Sequence, residues 1–348
     1  MVNVNLLKVL IITACIFPFL SRAETLEKGI DILNQGQFKK AREIFKPLAE
    51  HGDANAAYWL AYTQFKTLGT LEAGSSLLKS AEGGNPWAMA TLAGTNMPEV
   101  DRSFCGYLGW PCDEQWVDKA IEGWEKLAEE GNGKAMYALL YHDPSWWQYI
   151  PIYREYRYGE LAEKLYKNKG FTFFYDNNFW SFLNEDKRIE YLEKMALNGD
   201  GIAAYKLFYI FEENKEPRRA ISAIETGIKG RKSQSLYSAS TGLIRLKREY
   251  DIGSEDERTS KRAYFYCSAA DSLLGKEGDC SASGFFDFEY DRDIGRHKYY
   301  DKVTGERVTE EQLEKIREKA REYVSGYYAD LKLDETTVEF FKGFYKNF

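Results

Sequence analysis

An internal repeat constrains this chain more than any other feature. Five stretches share one layout: KKAREIFKPLAEHGDANAAYWLAYTQF at 39–65, EAGSSLLKSAEGGNPWAMATLAG at 72–94, VDKAIEGWEKLAEEGNGKAMYALLYH at 117–142, DKRIEYLEKMALNGDGIAAYKLFYIF at 186–211 and EPRRAISAIETGIKGRKSQSLYSASTGLI at 216–244. Each reads as an amphipathic helix, a polar turn with glycine, and an alanine-rich second helix. The turn glycines are Gly52, Gly84, Gly131, Gly199 and Gly230, separated by 32, 47, 68 and 31 residues. A unit of about 32–34 residues accounts for all four separations. The separation of 47 is one unit plus an insertion near 97–115 that holds Cys105 and Cys112. The separation of 68 is two units, so a degenerate copy is expected between them; GELAEKLYKNKGFTFFYDNNFWSFL at 159–183 fits, with Gly170 at its turn.

The physics of the repeat predicts the fold. In the first helices apolar residues recur at helical spacing: Ala41, Ile44, Phe45 and Leu48 in one copy, Ala120, Trp124 and Leu127 in another. Glycine ends these helices because it takes the left-handed conformation at low cost. Small residues of the second helices, Ala56, Ala57 and Ala61 or Ala135 and Ala138, let neighbours approach closely. One helix pair cannot bury its apolar face alone, whereas stacked pairs build a continuous core. The expected fold is therefore all-α, a right-handed solenoid of stacked antiparallel helix pairs over 24–270.

Three motifs recur within the copies. Lys40-Ala41, Lys119-Ala120 and Arg219-Ala220 open the first helix; Ala49 to Asp53 and Ala128 to Asn132 close it as Ala-Glu-x-Gly-(Asp/Asn); Ala56 to Leu60, Ala88 to Leu92 and Ala135 to Leu139 follow as Ala-x-x-x-Leu. This pattern resembles the Sel-one-like repeat family, a relative of the tetratricopeptide repeats. The likeness runs over about 38–245, with an echo at Lys261 to Cys267. The family's usual Leu-Gly-x-x-Tyr and Gly-x-Gly-Val loop are mostly missing; Tyr62 and Tyr141 are remnants.

The segment 271–348 breaks the pattern and is expected to cap the stack. KYYDKVTGERVT at 298–309 reads as a hairpin about Thr304-Gly305. Thr309-Glu310-Glu311-Gln312 is a capping box opening a charged helix to about Tyr328, and 337–344 reads as a last short helix.

The N-terminus is read as a targeting segment. Lys8 precedes an apolar run, Val9 to Leu20, too short to span a bilayer, and Ser21-Arg22-Ala23 offers a cleavage site. Cleavage after Ala23 is expected; the alternative, Ile12-Thr13-Ala14-Cys15 as a lipoprotein box, leaves only six apolar residues after Lys8. Losing 1–23 leaves 45 basic against 54 acidic residues. Such a chain is poorly matched to nucleic acid or an anionic membrane, and it suits a basic protein partner. No stable membrane insertion is expected after cleavage. Four cysteines remain, and an even number in an exported chain suggests disulfides. Of three possible connectivities the local one is expected, Cys105–Cys112 and Cys267–Cys280, because both pairs flank glycine-containing loops.

Little in the sequence points to chemistry. His51 sits in a repeat turn, and His297 stands among Arg296, Lys298 and Tyr299. His142-Asp143 precedes Pro144-Ser145, but adjacent side chains rarely converge on one reacting atom and no nucleophile elbow exposes the serine. Ser76-Leu77-Leu78-Lys79 matches a serine motif inside a repeat helix, without its usual companions. No catalytic residue, metal site or cofactor is expected. The most unusual stretch is aromatic: YHDPSWWQYIPIYREYRY at 141–158 and FTFFYDNNFWSF at 171–182. Phe173, Phe174 and Phe179 are expected in the core. Trp146, Trp147, Tyr149, Tyr153, Arg154 and Tyr156 lie outside the repeat helices on this reading, and are the expected partner-binding residues, because binding hot spots favour Trp, Tyr and Arg.

The resemblance carries a functional expectation. Exported Sel-one-like proteins include periplasmic immunity proteins of type VI secretion systems in Gram-negative bacteria, which occlude toxic effectors, often lipases. On that likeness this chain would bind and neutralise a cognate effector. The alternative is an envelope scaffold, as in polysaccharide-secretion complexes with similar helical repeats.

Overall fold

The structure, a computed structural model, describes residues 25–93, 108–142, 145–176, 179, 183–275, 280–293 and 295–342. The expected targeting segment, Cys15, Cys105 and most of the insertion lie outside the described residues. Among the described residues the chain is mostly helical, with one small antiparallel sheet. In order come α1 (25–34), α2 (Phe38–Glu50), α3 (Ala54–Thr67), α4 (Thr70–Glu82), α5 (Pro86–Leu92), α6 (Trp116–Glu129), α7 (Gly133–His142) and α8 (Pro151–Lys167). After one further turn at Thr172–Tyr175 come α9 (Glu185–Leu197), α10 (Gly201–Glu213), α11 (Pro217–Lys229), α12 (Ser233–Ser238), α13 (Ile244–Glu249) and α14 (Ser260–Leu274). Strands β1 (Phe286–Asp291), β2 (Arg296–Asp301) and β3 (Arg307–Val308) precede α15 (Glu310–Tyr323) and α16 (Glu339–Lys342). Among the described residues no helix is long and apolar enough to cross a membrane.

Six turns inside the helix pairs share one construction, which also recurs at Gln37, Glu216 and Ile252. After α2 the chain passes through His51 to Gly52, at φ +84°, and Asp53 N–H donates to Leu48 O at 3.1 Å. The same closure recurs from Asn85 to Ser80, Asn132 to Leu127, Gly170 to Leu165, Asp200 to Met195 and Lys232 to Gly227, at 2.8–3.0 Å. This bond satisfies a carbonyl that the helix end would otherwise leave without a partner. In four copies the next residue, Asp53, Asn85, Asn132 or Asp200, caps the second helix by accepting from Ala56, Ala88, Ala135 or Ala203 N–H at 2.9–3.0 Å.

Two of the expected turn glycines are displaced by one residue. The left-handed positions are Lys169 (φ +60°) and Arg231 (φ +50°), not Gly170 and Gly230. The closing bond fixes the geometry, and a side chain there costs about 1–2 kcal/mol. Gly170 has another task. A Cβ on it would fall 2.6 Å from Gly133 O, and one on Gly133 would fall 2.3 Å from Asn168 O. Only bare backbone fits where Gly133 N–H donates to Asn168 O at 3.1 Å.

The chain forms two compact units. Unit 1 comprises 1–173 and 331–348. Each of α2 to α8 packs on its neighbour in sequence. The run Ala56 to Thr63 on α3 is buried on all sides, as a helix enclosed by others must be. Trp59 and Trp124 are almost wholly buried, each burial worth roughly 1.5–3 kcal/mol. The tail at 331–342, expected within the C-terminal cap, belongs to unit 1; its last helix, expected from 337, begins at Glu339 and runs to Lys342, where the described residues end.

Unit 2 comprises 174–330. Helices α9 to α11 pack consecutively, and α14 packs on α12 and α15. The expected hairpin is present: β2 pairs with β3, and Gly305 at φ +69° lies in the turn. Asp301, 1% exposed, holds that turn by accepting from Val303 N–H at 2.9 Å and Lys261 N–H at 3.2 Å. The sheet goes one strand beyond the expected hairpin, because β1 pairs with β2 from Phe286↔Asp301 to Asp291↔Arg296. Tyr264, Phe286, Val308 and Leu313 form the core between the sheet and its helices. The capping box is formed in full, with Thr309 Oγ1 accepting from Gln312 N–H and Gln312 Oε1 from Thr309 N–H. Helix α15 ends at Tyr323 rather than Tyr328, because Gly326 takes φ +80° and turns the chain. Cys267 on α14 is bonded to Cys280, with 5.8 Å between their Cα atoms.

Candidate partner-binding surface

The aromatic run at 146–158 has a defined shape. Trp146–Tyr149 forms one turn of 3-10 helix, and Pro151, with φ fixed for a helix start, opens α8. Tyr153, Arg154 and Tyr156 therefore lie on the first turns of α8, not outside the helices as expected; the helix begins at Pro151, ahead of the expected 159.

Adjacent residues on a tight turn point opposite ways, and the two tryptophans part accordingly. Trp147 is turned inward, 9% exposed, edge-on to Tyr158 at 5.2 Å between ring centroids. Tyr158 packs in turn on Phe173 at 6.0 Å. Burial pushes the Tyr158 phenol up to about 12, with Arg154 opposing, so it stays protonated. Trp147 thus anchors the turn and is not available to a partner on the same face as Trp146.

Trp146 is 66% exposed and stacks on Tyr153, with centroids 5.6 Å apart and planes 15° from parallel. Tyr149 and Tyr156 are exposed, and so are Ile150 and Ile152. The isoleucines escaped the sequence reading, although Ile150-Pro151-Ile152 stands in the same run. A proline between two branched apolar residues is the signal that could have found them. Arg154 is half-buried beside the turn, its guanidinium 3.4 Å from Gln148 O.

Glu160 organises the far edge. It accepts from Tyr156 Oη at 2.9 Å and from Arg157 Nη1 at 2.9 Å. The hydrogen bond to Glu160 raises the Tyr156 pKa. Arg157 also lies over the Trp147 ring, 5.9 Å from its centroid. The surface is therefore apolar and aromatic at its centre, with paired charges at its rim. An exposed apolar patch of this kind marks an interaction site more often than a fold requirement.

The other candidate residues are placed as follows. Phe173, Phe174 and Phe179 are buried. His51 Nδ1 lies 2.6 Å from Pro47 O in its turn. His142 is 2% exposed and stacks on Trp124 at 5.5 Å, so it is not presented to a substrate beside Ser145; Asp143 lies outside the described residues. Ser76 is buried in α4 while Lys79 points to solvent. His297 is exposed on β2, edge-on to Phe288. Cys112 is disulfide-bonded. No protein-family model matches the chain, and no curated protein matches it.

Proposed function

We propose that this chain is an exported binding protein that grips another protein through the face centred on Trp146 and Tyr153, and that the partner is a toxic effector it occludes. The observation that carries the reading is the pair of stacked, exposed rings on a turn pinned from beneath by Trp147. Rigid aromatics give contact area at low entropic cost, and removing such a residue typically costs 2 kcal/mol or more, about thirtyfold in affinity. The Cys267–Cys280 bond and the excess of acidic residues fit a periplasmic protein with a basic partner. The six equivalent turns support a right-handed solenoid of stacked helix pairs as the finer architecture. A signal segment at 1–23 and a Cys105–Cys112 bond belong to the same reading.

The test is contact-dependent competition. A strain lacking the gene is grown on a surface against its parent. It should be killed, and rescued by periplasmic wild-type protein but not by the Trp146→Ala/Tyr153→Ala variant expressed at equal level. Survival of the deletion strain without rescue would overturn the immunity reading and favour an envelope scaffold.

A further inference from the structure

The tail at 331–341 is seated in unit 1 as a ligand would be. Phe340, wholly buried, stands edge-on to Tyr62 at 5.4 Å and to Trp110 at 5.6 Å. Phe341, 4% exposed, meets Tyr137 at 5.7 Å and His142 at 4.7 Å. Charged anchors accompany the rings. Glu339 pairs with Lys66 on α3 and accepts from Tyr62 Oη at 2.9 Å, while Glu335 pairs with Lys134 on α7. At the entry, Leu333 N–H donates to Asn34 Oδ1 at 2.5 Å and Asn34 Nδ2 to Leu333 O at 3.1 Å.

Two further facts make the segment a separable ligand. The helices that form the seat also pack on one another in sequence order. The segment also organises itself. Asp334 Oδ1 accepts from Thr336 N–H at 2.8 Å and from Thr336 Oγ1 at 2.6 Å, and Thr337 Oγ1 donates to Lys332 O at 3.0 Å. A preformed turn loses less freedom on docking, so its binding energy is kept for the contacts.

We propose that residues 331–342 are a resident, reversible ligand of unit 1, and that their seat recognises an acidic segment of the form Glu-x-x-x-Glu-Phe-Phe, so that the tail of a second copy of this chain enters when the resident tail leaves. Charge complementarity selects the occupant: two acids four residues apart meet two lysines on different helices, and two adjacent rings fill two aromatic pockets.

The probe is a fluorescein-labelled synthetic peptide of residues 331–348, added to the full chain carrying Phe340→Ala/Phe341→Ala. The resident tail of that variant has lost its anchors, so the peptide should bind saturably. It should bind the unmodified chain far more weakly, because the seat is filled. A peptide with both phenylalanines replaced by alanine should lose about thirtyfold or more in affinity. A variant that keeps its helical signal and cooperative melting yet binds no peptide overturns the proposal. If the variant loses its helical signal, hydrogen exchange on the unmodified chain decides. Amides of 331–341 should then exchange through an opening that leaves α3 and α7 protected, and exchange of all three segments at one rate overturns the proposal.

Discussion

Acid should destabilise unit 1 through a single histidine. His142 lies on α7, stacked on Trp124 and edge-on to Tyr141 and Phe341, and burial pushes its pKa down to about 3. In the unfolded chain the imidazole titrates near 6.5. Between those values the unfolded state binds a proton that the folded state does not, so stability falls as pH drops from about 6.5 towards 3 and levels off below. The contribution lost between pH 7 and pH 5 is ~2 kcal/mol, rising to about 4 kcal/mol at pH 3. That is a large part of the roughly 5–15 kcal/mol that holds a domain folded. His142→Phe keeps a ring between Trp124 and Phe341 and removes the titration. Every tryptophan except Trp180 lies in unit 1, so urea unfolding followed by tryptophan fluorescence reports on that unit. The difference in unfolding free energy between variant and wild type should grow in the variant's favour by ~2 kcal/mol from pH 7 to pH 5, other groups cancelling. Parallel pH profiles would refute the reasoning, because they would mean that the folded protein accepts the proton as readily as the unfolded chain.

Three other outcomes are expected. Trp147→Ala should cost about 3–5 kcal/mol of stability in urea unfolding, whereas Trp146→Ala should stay within about 0.5 kcal/mol, since only Trp147 is buried. Gly133→Ala should lower the melting temperature sharply, by a loss of more than about 2 kcal/mol, because its Cβ would fall 2.3 Å from the Asn168 carbonyl oxygen; the same change at half-buried Gly159, where a Cβ meets nothing within 4 Å, serves as the control. Replacing Cys267 and Cys280 by alanine should cost about 3 kcal/mol, read by calorimetry, from the freed loop of 13 residues in the unfolded chain.

The helix pairs and their turns were legible because each copy carries the same local instructions. A polar cap, an alanine-rich face and a closing turn act within a few residues, and so did the Thr309 capping box and the Thr304-Gly305 hairpin. What escaped the sequence depends on distant partners. Strand β1 alternates Phe286, Phe288 and Tyr290, but only Phe286 is buried, and its pairing with β2 crosses a turn without a strong hairpin signal. Lys169 and Arg231 take left-handed backbone that their residue types disfavour, because the closing bond dictates it. At the candidate surface composition located the segment, but which tryptophan faces solvent followed from the turn and from Tyr158, eleven residues beyond Trp147. The seat of Phe340 and Phe341 was hidden for the same reason: nothing near them in sequence names Tyr62 or His142.

That return of the tail sets an order of events during synthesis. Tyr62 and Glu339 are 277 residues apart, and all of unit 2 is made between them. Closing so long a loop adds entropy only slowly with length, so the cost falls on timing more than on stability. Each helix pair of unit 1 can form as it emerges, since its contacts are with its neighbours in sequence, the arrangement that folds fastest. The aromatic pockets cannot be filled until Phe340 and Phe341 have been made. For that interval Tyr62 and Trp110 lack Phe340, and Trp87 and His142 lack Phe341, so apolar surface of the kind that promotes misassembly stays uncovered while unit 2 is made.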